Sequence, residues 1–257
     1  MFIKKIFDYF FGNPEYNIEQ HWKKQSKKKG LRTVMFWCED YNIMADKIEK
    51  EEIVKHLKSI NGKKILDIGC GIGRLSSFLA LKGALVTGID IPPMIKKARK
   101  ENSHKNINYE AVSIFEYKFP SSWFDYVLSV ATISLIADTD EKLRIIFNNI
   151  SRTLRNGGLF LCIEPFHKYI LRRPCHKSVQ EIIDLAKDFK LKTIYKGGIL
   201  NFVSRVTIES LKKINIPFLS QQLVIKKIFY IGEFLLKIPV LKDLFSDYKV
   251  IVFKKLK

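Results

Sequence analysis

The residues that most constrain this chain are 63–75, KKILDIGCGIGRL. An apolar run reaches Asp67, and glycines follow at every second position: Gly69, Gly71 and Gly73. The run reads as a buried strand, and GRLSSFLALKG after it reads as a helix closed by Gly83. A strand that turns into a helix through closely spaced glycines lets a ligand approach the backbone where side chains would bar it. That ligand could be a dinucleotide pyrophosphate, a nucleoside triphosphate or another cofactor.

The alternation continues downstream. LVTGID is a second strand, and PPMIKKARKE is a helix opened by prolines in its first turn. INYEAV and FDYVLSV are the third and fourth strands. TDEKLRIIFNNISRTLRNGG is a helix capped by Thr139 and stopped at Asn156-Gly157, and LFLCIEP is a fifth strand. SVQEIIDLAKDF then predicts a helix, LKTIYKG a sixth strand and YKVIVFKK a last strand. Strands alternating with helices over short connections specify an α/β fold with a mostly parallel sheet. Residues 1–60 carry little strand character; IEKEEIVKHLKSI repeats apolar residues at helical spacing and NGKK ends it. The expected organisation is an N-terminal helical lid over 1–60 and an α/β domain over 61–257.

A chain of 257 residues suits one domain with an extension. Its four cysteines, Cys38, Cys70, Cys162 and Cys175, form no C-x-x-C pair, which argues against a disulfide framework or a zinc site and fits a reducing cytosol. A cytoplasmic location and no metal are expected. MFIKKIFDYFFGNPEY is interrupted by Asp8 and lacks a small-residue cleavage site, so it is not read as a signal peptide. No apolar run reaches the length of a membrane span. The formal charge of +19 fits an anionic partner, whether nucleic acid, a membrane surface or a phosphorylated substrate. It equally fits an AT-rich coding bias, because Lys far outnumbers Arg and a nucleic-acid reader would favour Arg for bidentate contacts. No specific nucleic-acid partner is expected, and the oligomeric state is left open.

The glycine loop itself narrows the ligand. A triphosphate loop needs Lys and Ser/Thr after its glycines, and these are missing. The dinucleotide fingerprint would put a third glycine at position 74, which is Arg74. Asp67, two residues before Gly69, suits the ammonium of an amino-acid-like cofactor and would repel a pyrophosphate. Asp90 ends the second strand and can accept both hydroxyls of a ribose. An acid-Gly-x-Gly loop followed by a second strand-end acid describes a nucleoside carrying an amino acid, namely S-adenosyl-L-methionine.

With these residues in view, the chain resembles the class I S-adenosylmethionine-dependent methyltransferases. The stretch ILDIGCGIGRLSSFLALKGALVTGIDIPPMIKKA resembles the family's first motif and the following acidic loop. FDYVLSV resembles the fourth-strand motif, and LRNGGLFLCIEP the turn into strand five, so the likeness covers about residues 60–165. It implies a Rossmann-like, doubly wound seven-stranded sheet of order 3-2-1-4-5-7-6, with the last strand antiparallel and a helical insertion between strands six and seven. It also implies that Asp67, Gly69, Cys70, Gly71 and Gly73 line the methionine and ribose side. Asp90 would hold the ribose, Ile91 would pack on adenine, and Ser113 and Ile114 would replace the family's Asp-Ala pair near adenine. Val130 would face the cofactor with its backbone. Cys70 reads as a small residue that fits rather than a nucleophile.

The acceptor side is less determined. Many members of the family carry a His after strand four, where this chain has Leu135. Glu164 and His167, after strand five, are the remaining candidates for a general base. Glu164 could instead be bonded to backbone or a nearby Lys, and His167 could be a surface loop residue. Around GLRTVMFWCEDYN, the residues Trp37, Glu39 and Asn42 could hold a sugar or another polar ring, or the segment could simply pack over the cofactor. LVIKKIFYIGEFLLKIPVLKDLF is apolar almost all round, with Lys226, Glu233 and Lys237 on one stripe. Such a helix is buried as a cap over the acceptor pocket or docks to a bilayer, giving peripheral contact with the inner membrane surface. The leading expectation is a methyltransferase for a small polar acceptor, foremost O-methylation of a sugar or surface-polysaccharide precursor. An RNA or protein methyltransferase is one alternative; a non-catalytic cofactor- or partner-binding protein is another.

Overall fold

The computed structural model describes residues 18–166, 175, 177–214 and 222–257. His167 and residues 1–17 lie outside them. Two N-terminal helices, α1 (Ile18–Gln25) and α2 (Glu39–His56), flank a short 3-10 turn at Gly30–Thr33. The α/β part then runs β1 (Lys64–Ile68), α3 (Arg74–Leu81), β2 (Leu85–Asp90), α4 (Pro92–Glu101), β3 (Ile107–Ala111) and β4 (Phe124–Val130). It continues through α5 (Ile133–Ile136), α6 (Asp140–Thr153), β5 (Leu154–Glu164), α7 (Val179–Lys187) and β6 (Leu191–Asn201). Helices α8 (Phe202–Ile214), α9 (Gln222–Leu235) and α10 (Pro239–Phe245) precede β7 (Ser246–Lys255).

The seven strands are ordered β3-β2-β1-β4-β5-β7-β6. The inner pairs are parallel, and β7 runs antiparallel to both β5 and β6. This is the expected doubly wound sheet, with the helical insertion α8–α10 between strands six and seven. Successive strand residues serve opposite faces, as the period-two geometry requires. Ile65, Leu128, Leu161 and Val252 join one core, covered by α2, α3, α8 and α9. Their chain neighbours Leu66, Val127, Phe160 and Phe253 join the other, covered by α6 and α7. Phe160 and Phe253 face each other in register across β5 and β7 with centroids 5.6 Å apart.

Local signals set the helix limits. Thr139 Oγ1 accepts the Lys142 N–H at the start of α6, and Ser178 with Glu181 forms a reciprocal capping box on α7. The helix over 140–153 stops earlier than the Asn156-Gly157 signal, because residues from Leu154 onward are drawn into β5. Helix α2 is longer than the predicted repeat and shares the first core with the sheet through Tyr41, Met44, Ala45 and Ile53.

Candidate active site

The C-terminal ends of β1, β2 and β4 open into a cavity of about 290 Å³, roofed by Trp22, Val34, Met35 and Phe36 from the N-terminal region. Crevices at strand C-termini next to the first crossover are where open α/β sheets bind ligands. The glycine loop forms the cavity floor. Gly69 and Cys70 donate backbone N–H bonds to the Ile89 carbonyl at 2.9 and 3.1 Å, tying the loop to β2. Gly71 has a φ of +58°, and a Cβ there would stand 2.7 Å from Val34 Cγ1, so Val34 rests on the bare backbone.

Two carboxylates face this cavity. Asp67 is buried and accepts the Ser76 hydroxyl at 2.6 Å; burial is the main cause that pushes its carboxyl up to about 6. Asp90 accepts the N–H groups of Gly71 at 2.8 Å and Ile91 at 2.7 Å. Burial pushes its carboxyl up to about 6 as well, and the Asp67 charge adds to the rise. Neither is ion-paired among the described residues. Carboxylates drawn out of water without an ion pair are costly unless a ligand supplies donors or positive charge. An ammonium group and a pair of ribose hydroxyls are such ligands, so these residues fit S-adenosylmethionine.

The other expected cofactor residues mostly fall on the same wall. Gly69, Cys70, Gly71, Ile91, Ser113, Ile114 and Val130 all line the cavity. The Ser113 hydroxyl accepts the Phe115 N–H at 3.2 Å, which leaves its own proton to offer a ligand. Burial raises the Cys70 thiol well above its ordinary range, with the Asp67 and Asp90 charges in support, so no thiolate is available there. Gly73 departs from the expectation: it does not line the cavity. It is the N-cap of α3, left-handed at φ +78° and packed on the Tyr109 hydroxyl, and so turns the chain.

Glu164 is also placed differently from a base. Its buried carboxylate accepts five hydrogen bonds, from the N–H groups of Thr132, Ile133 and Ser134 and the hydroxyls of Ser129 and Ser134. No Lys takes part, and the side chain is absent from the cavity wall. What it does is hold the turn after β4, where Ala131 has a φ of +54° and donates to the Ile163 carbonyl at 2.9 Å. The other base candidate, His167, lies outside the described residues.

The Trp37–Asn42 cluster is likewise drawn away from the cavity. Trp37 lies against the Arg205 guanidinium, 4.0 Å from its ring centroid, and Arg205 is ion-paired with the buried Asp247. The Cys38 N–H donates to Glu209 at 2.5 Å, and Asp40 pairs with Lys212 at 2.7 Å. Asn42 is buried and donates to the Trp37 carbonyl at 2.9 Å, and Glu39 is exposed. These contacts fasten α2 to α8.

Residues to which the sequence assigned no site role complete the cavity. Arg74 reaches back to α2, pairing with Asp46 at 2.6 Å and with Glu49, which is buried and lines the cavity. Burial raises the Glu49 carboxyl, and Arg74 opposes the rise. Trp22, Met35, Phe36, Phe115, Leu135 and Ile136 form an apolar and aromatic wall beyond the cofactor-facing residues, with Tyr248 from β7 beside it. Helices α9 and α10 contribute nothing to this wall.

Residues 66–162 match the family described as a methyltransferase domain. The chain is 31% identical over 158 residues to a phosphoethanolamine N-methyltransferase 1 of Caenorhabditis elegans, covering 58% of this chain and 32% of that protein. It is 30% identical over 103 residues to ubiquinone biosynthesis O-methyltransferase of Coxiella burnetii, covering 39% and 42%. The chain thus spans about a third to under half of the length of these relatives. Among solved structures it superposes on a Haemonchus contortus phosphoethanolamine N-methyltransferase 1 bound to phosphoethanolamine and S-adenosylhomocysteine. The TM-score is 0.63 at 17% identity, over 93% of this chain and 48% of that one.

Proposed function

We propose that this chain, a class I methyltransferase by its fold and by its residues 66–162, binds S-adenosylmethionine and methylates a small acceptor with an apolar or aromatic body. The observation that carries the cofactor reading is a pair of cavity-facing carboxylates outside any ion pair, Asp67 and Asp90, on either side of a glycine loop, both raised by burial. Asp67 would take the ammonium, Asp90 the ribose hydroxyls, and Ile91, Ser113 and Ile114 the adenine. Bound S-adenosylmethionine supplies a methyl group already activated on a sulfonium. The protein then has to align the acceptor and exclude water. The roof of Trp22, Val34, Met35 and Phe36 serves the second task, and the Arg74 ion pairs to Asp46 and Glu49 tie the following helix α2 to the glycine loop.

The acceptor reading follows from the wall. A phosphomonoester such as the phosphoethanolamine named for the relatives needs a free cation. Among the described lining residues the only cation is Arg74, which is already paired. The polar cluster expected to hold a sugar, Trp37–Asn42, lies outside the cavity. Apolar and aromatic side chains instead favour a flat or hydrocarbon body. The calorimetric test is titration with S-adenosylhomocysteine on wild type and Asp90→Ala. Saturable binding that is lost in the variant supports the site; no binding to wild type at millimolar ligand removes the reading. An acceptor screen of phenols and quinols against nucleotide-sugars and phosphoethanolamine then tests the acceptor class, and turnover confined to the polar set would overturn it.

A further inference from the structure

Helix α9 is apolar on two opposite sides, and the described residues bury only one of them. Ile225, Phe229 and Gly232 are buried against the body, and Gly232 sits so close that a Cβ would stand 2.9 Å from Asn201 Cβ. The helix's one acid, Glu233, also turns inward and accepts the N–H groups of Leu200 and Asn201 at 3.2 and 2.7 Å. The outer side carries Leu223, Tyr230, Ile231 and Phe234, the last 64% exposed. Ile238, Val240 and Leu244 extend it along α10, with Val240 73% exposed. Monomeric proteins rarely leave so many neighbouring large apolar groups in water.

Lysines are set into this surface. Lys226, Lys227 and Lys237 are exposed on or beside α9, and the Lys237 ammonium lies 5.2 Å from the Phe234 ring centroid. Lys242 is half-buried on α10, and Asp243 is the one exposed acid there. We propose that the α9–α10 face docks in the plane of an anionic lipid surface, with the apolar side chains in the headgroup boundary and the lysines at lipid phosphates. The interleaving is what selects a bilayer over a protein. Protein interfaces are depleted of Lys, whereas interfacial helices combine Lys with Phe, Tyr and Leu and let the ammonium groups reach back to the headgroups. No described helix is long and apolar enough to cross a membrane, so the contact is peripheral. The chain's charge of +19 acts in the same direction.

The test is co-sedimentation with phosphatidylglycerol-containing vesicles and with pure phosphatidylcholine vesicles, at about 0.05 M and about 0.5 M salt. The expected result is binding to the anionic vesicles that salt weakens and that Ile231→Glu/Phe234→Glu reduces about ten-fold or more. Both positions are exposed and off the cavity, so the variant keeps its melting temperature and its S-adenosylhomocysteine affinity. Should that variant fail to fold, Lys226→Glu/Lys227→Glu carries the same expectation. No binding to anionic vesicles at low salt overturns the proposal. So does equal binding by wild type and the folded variants, which would make the attraction one of net charge alone. A wild-type dimer that Ile231→Glu/Phe234→Glu turns into a monomer also overturns it, assigning the face to a second copy. Vesicle binding and cofactor binding are read separately, so failure of one leaves the other standing.

Discussion

Cofactor binding should release protons below neutral pH, and the structure sets the size of the effect. In the free protein the carboxyls of Asp67 and Asp90 are each raised from 3.8 to about 6, with burial as the first cause. An ammonium at Asp67 and ribose hydroxyls at Asp90 both prefer the ionised carboxylate, so the complex holds these groups at lower values than the free protein does. The bound state therefore carries fewer protons through this window, and affinity rises with pH until both groups are ionised. A group titrating near 6 is ionised in about one molecule in eleven at pH 5 and about ten in eleven at pH 7. Affinity for S-adenosylhomocysteine should thus rise about ten-fold from pH 5 to pH 7 if one group must ionise, and towards ~100-fold if both must. The α-amino group of the ligand stays protonated over that range.

The same shifts act on stability with the opposite dependence. A carboxyl raised above its unfolded value stabilises the fold fully below about pH 4 and loses that contribution as pH passes through about 6. Above that, ionising Asp67 in its buried place costs the free protein about 3 kcal/mol. Asp67→Asn should then raise the melting temperature at pH 8, change it little at pH 4, and weaken ligand binding. Calorimetry at pH 5, 6 and 7, in buffers of different ionisation enthalpy, measures affinity and proton release together. Equal affinity at pH 5 and pH 7 with no proton released would refute the reasoning, because the carboxylates would then be ionised before the ligand arrives.

Other perturbations separate structural from chemical roles. Glu164→Gln sets an amide NH₂ against donors that a carboxylate now satisfies, and should cost about 3 kcal/mol or more, seen as a fall in melting temperature. A variant with unchanged melting temperature and no turnover would instead return Glu164 to the role of base. Arg74→Met leaves the buried Glu49 without its ion pair, while Asp46 keeps Lys50 at 2.6 Å, with an expected loss of about 3–5 kcal/mol and weaker S-adenosylhomocysteine binding; Glu49→Gln in the same chain should recover part of both. Glu39→Ala removes an exposed side chain outside the cavity, so the KM of any acceptor found should stay within about two-fold. A large rise would put the acceptor at the lid's outer surface.

What could be read from sequence was what one contiguous segment encodes. The strand, the glycine turn and Asp67 occupy a few consecutive positions, and backbone sterics alone restrict their geometry; Asp90 follows at the next strand end. The acceptor wall has no such local code. Trp22, Phe36, Leu135 and Tyr248 come from four separated segments and meet only when the N-terminal residues pack over the sheet and β7 inserts beside β5. Glu164 was misleading for a reason that strand geometry supplies. It shares the parity of Phe160 and Cys162, which face the second core, and so lies beneath the turn after β4 rather than in the cavity.

The same distinction explains the N-terminal cluster and α9. Aromatics beside acids at Trp37–Asn42 have the composition of a ligand site, but Arg205, Glu209 and Lys212 of α8 supply complementary groups that engage them as an anchor. Composition fixes what a side chain can bond to, and the tertiary neighbour decides whether that capacity is already used. Asp67 and Asp90 are in no ion pair among the described residues, and the outer side of α9 carries exposed apolar groups. Among the described residues, the capacity left over after folding includes two carboxylates facing a cavity and one greasy, lysine-studded helix face. The first suits a cationic cofactor, and the second is the face proposed to meet an anionic surface.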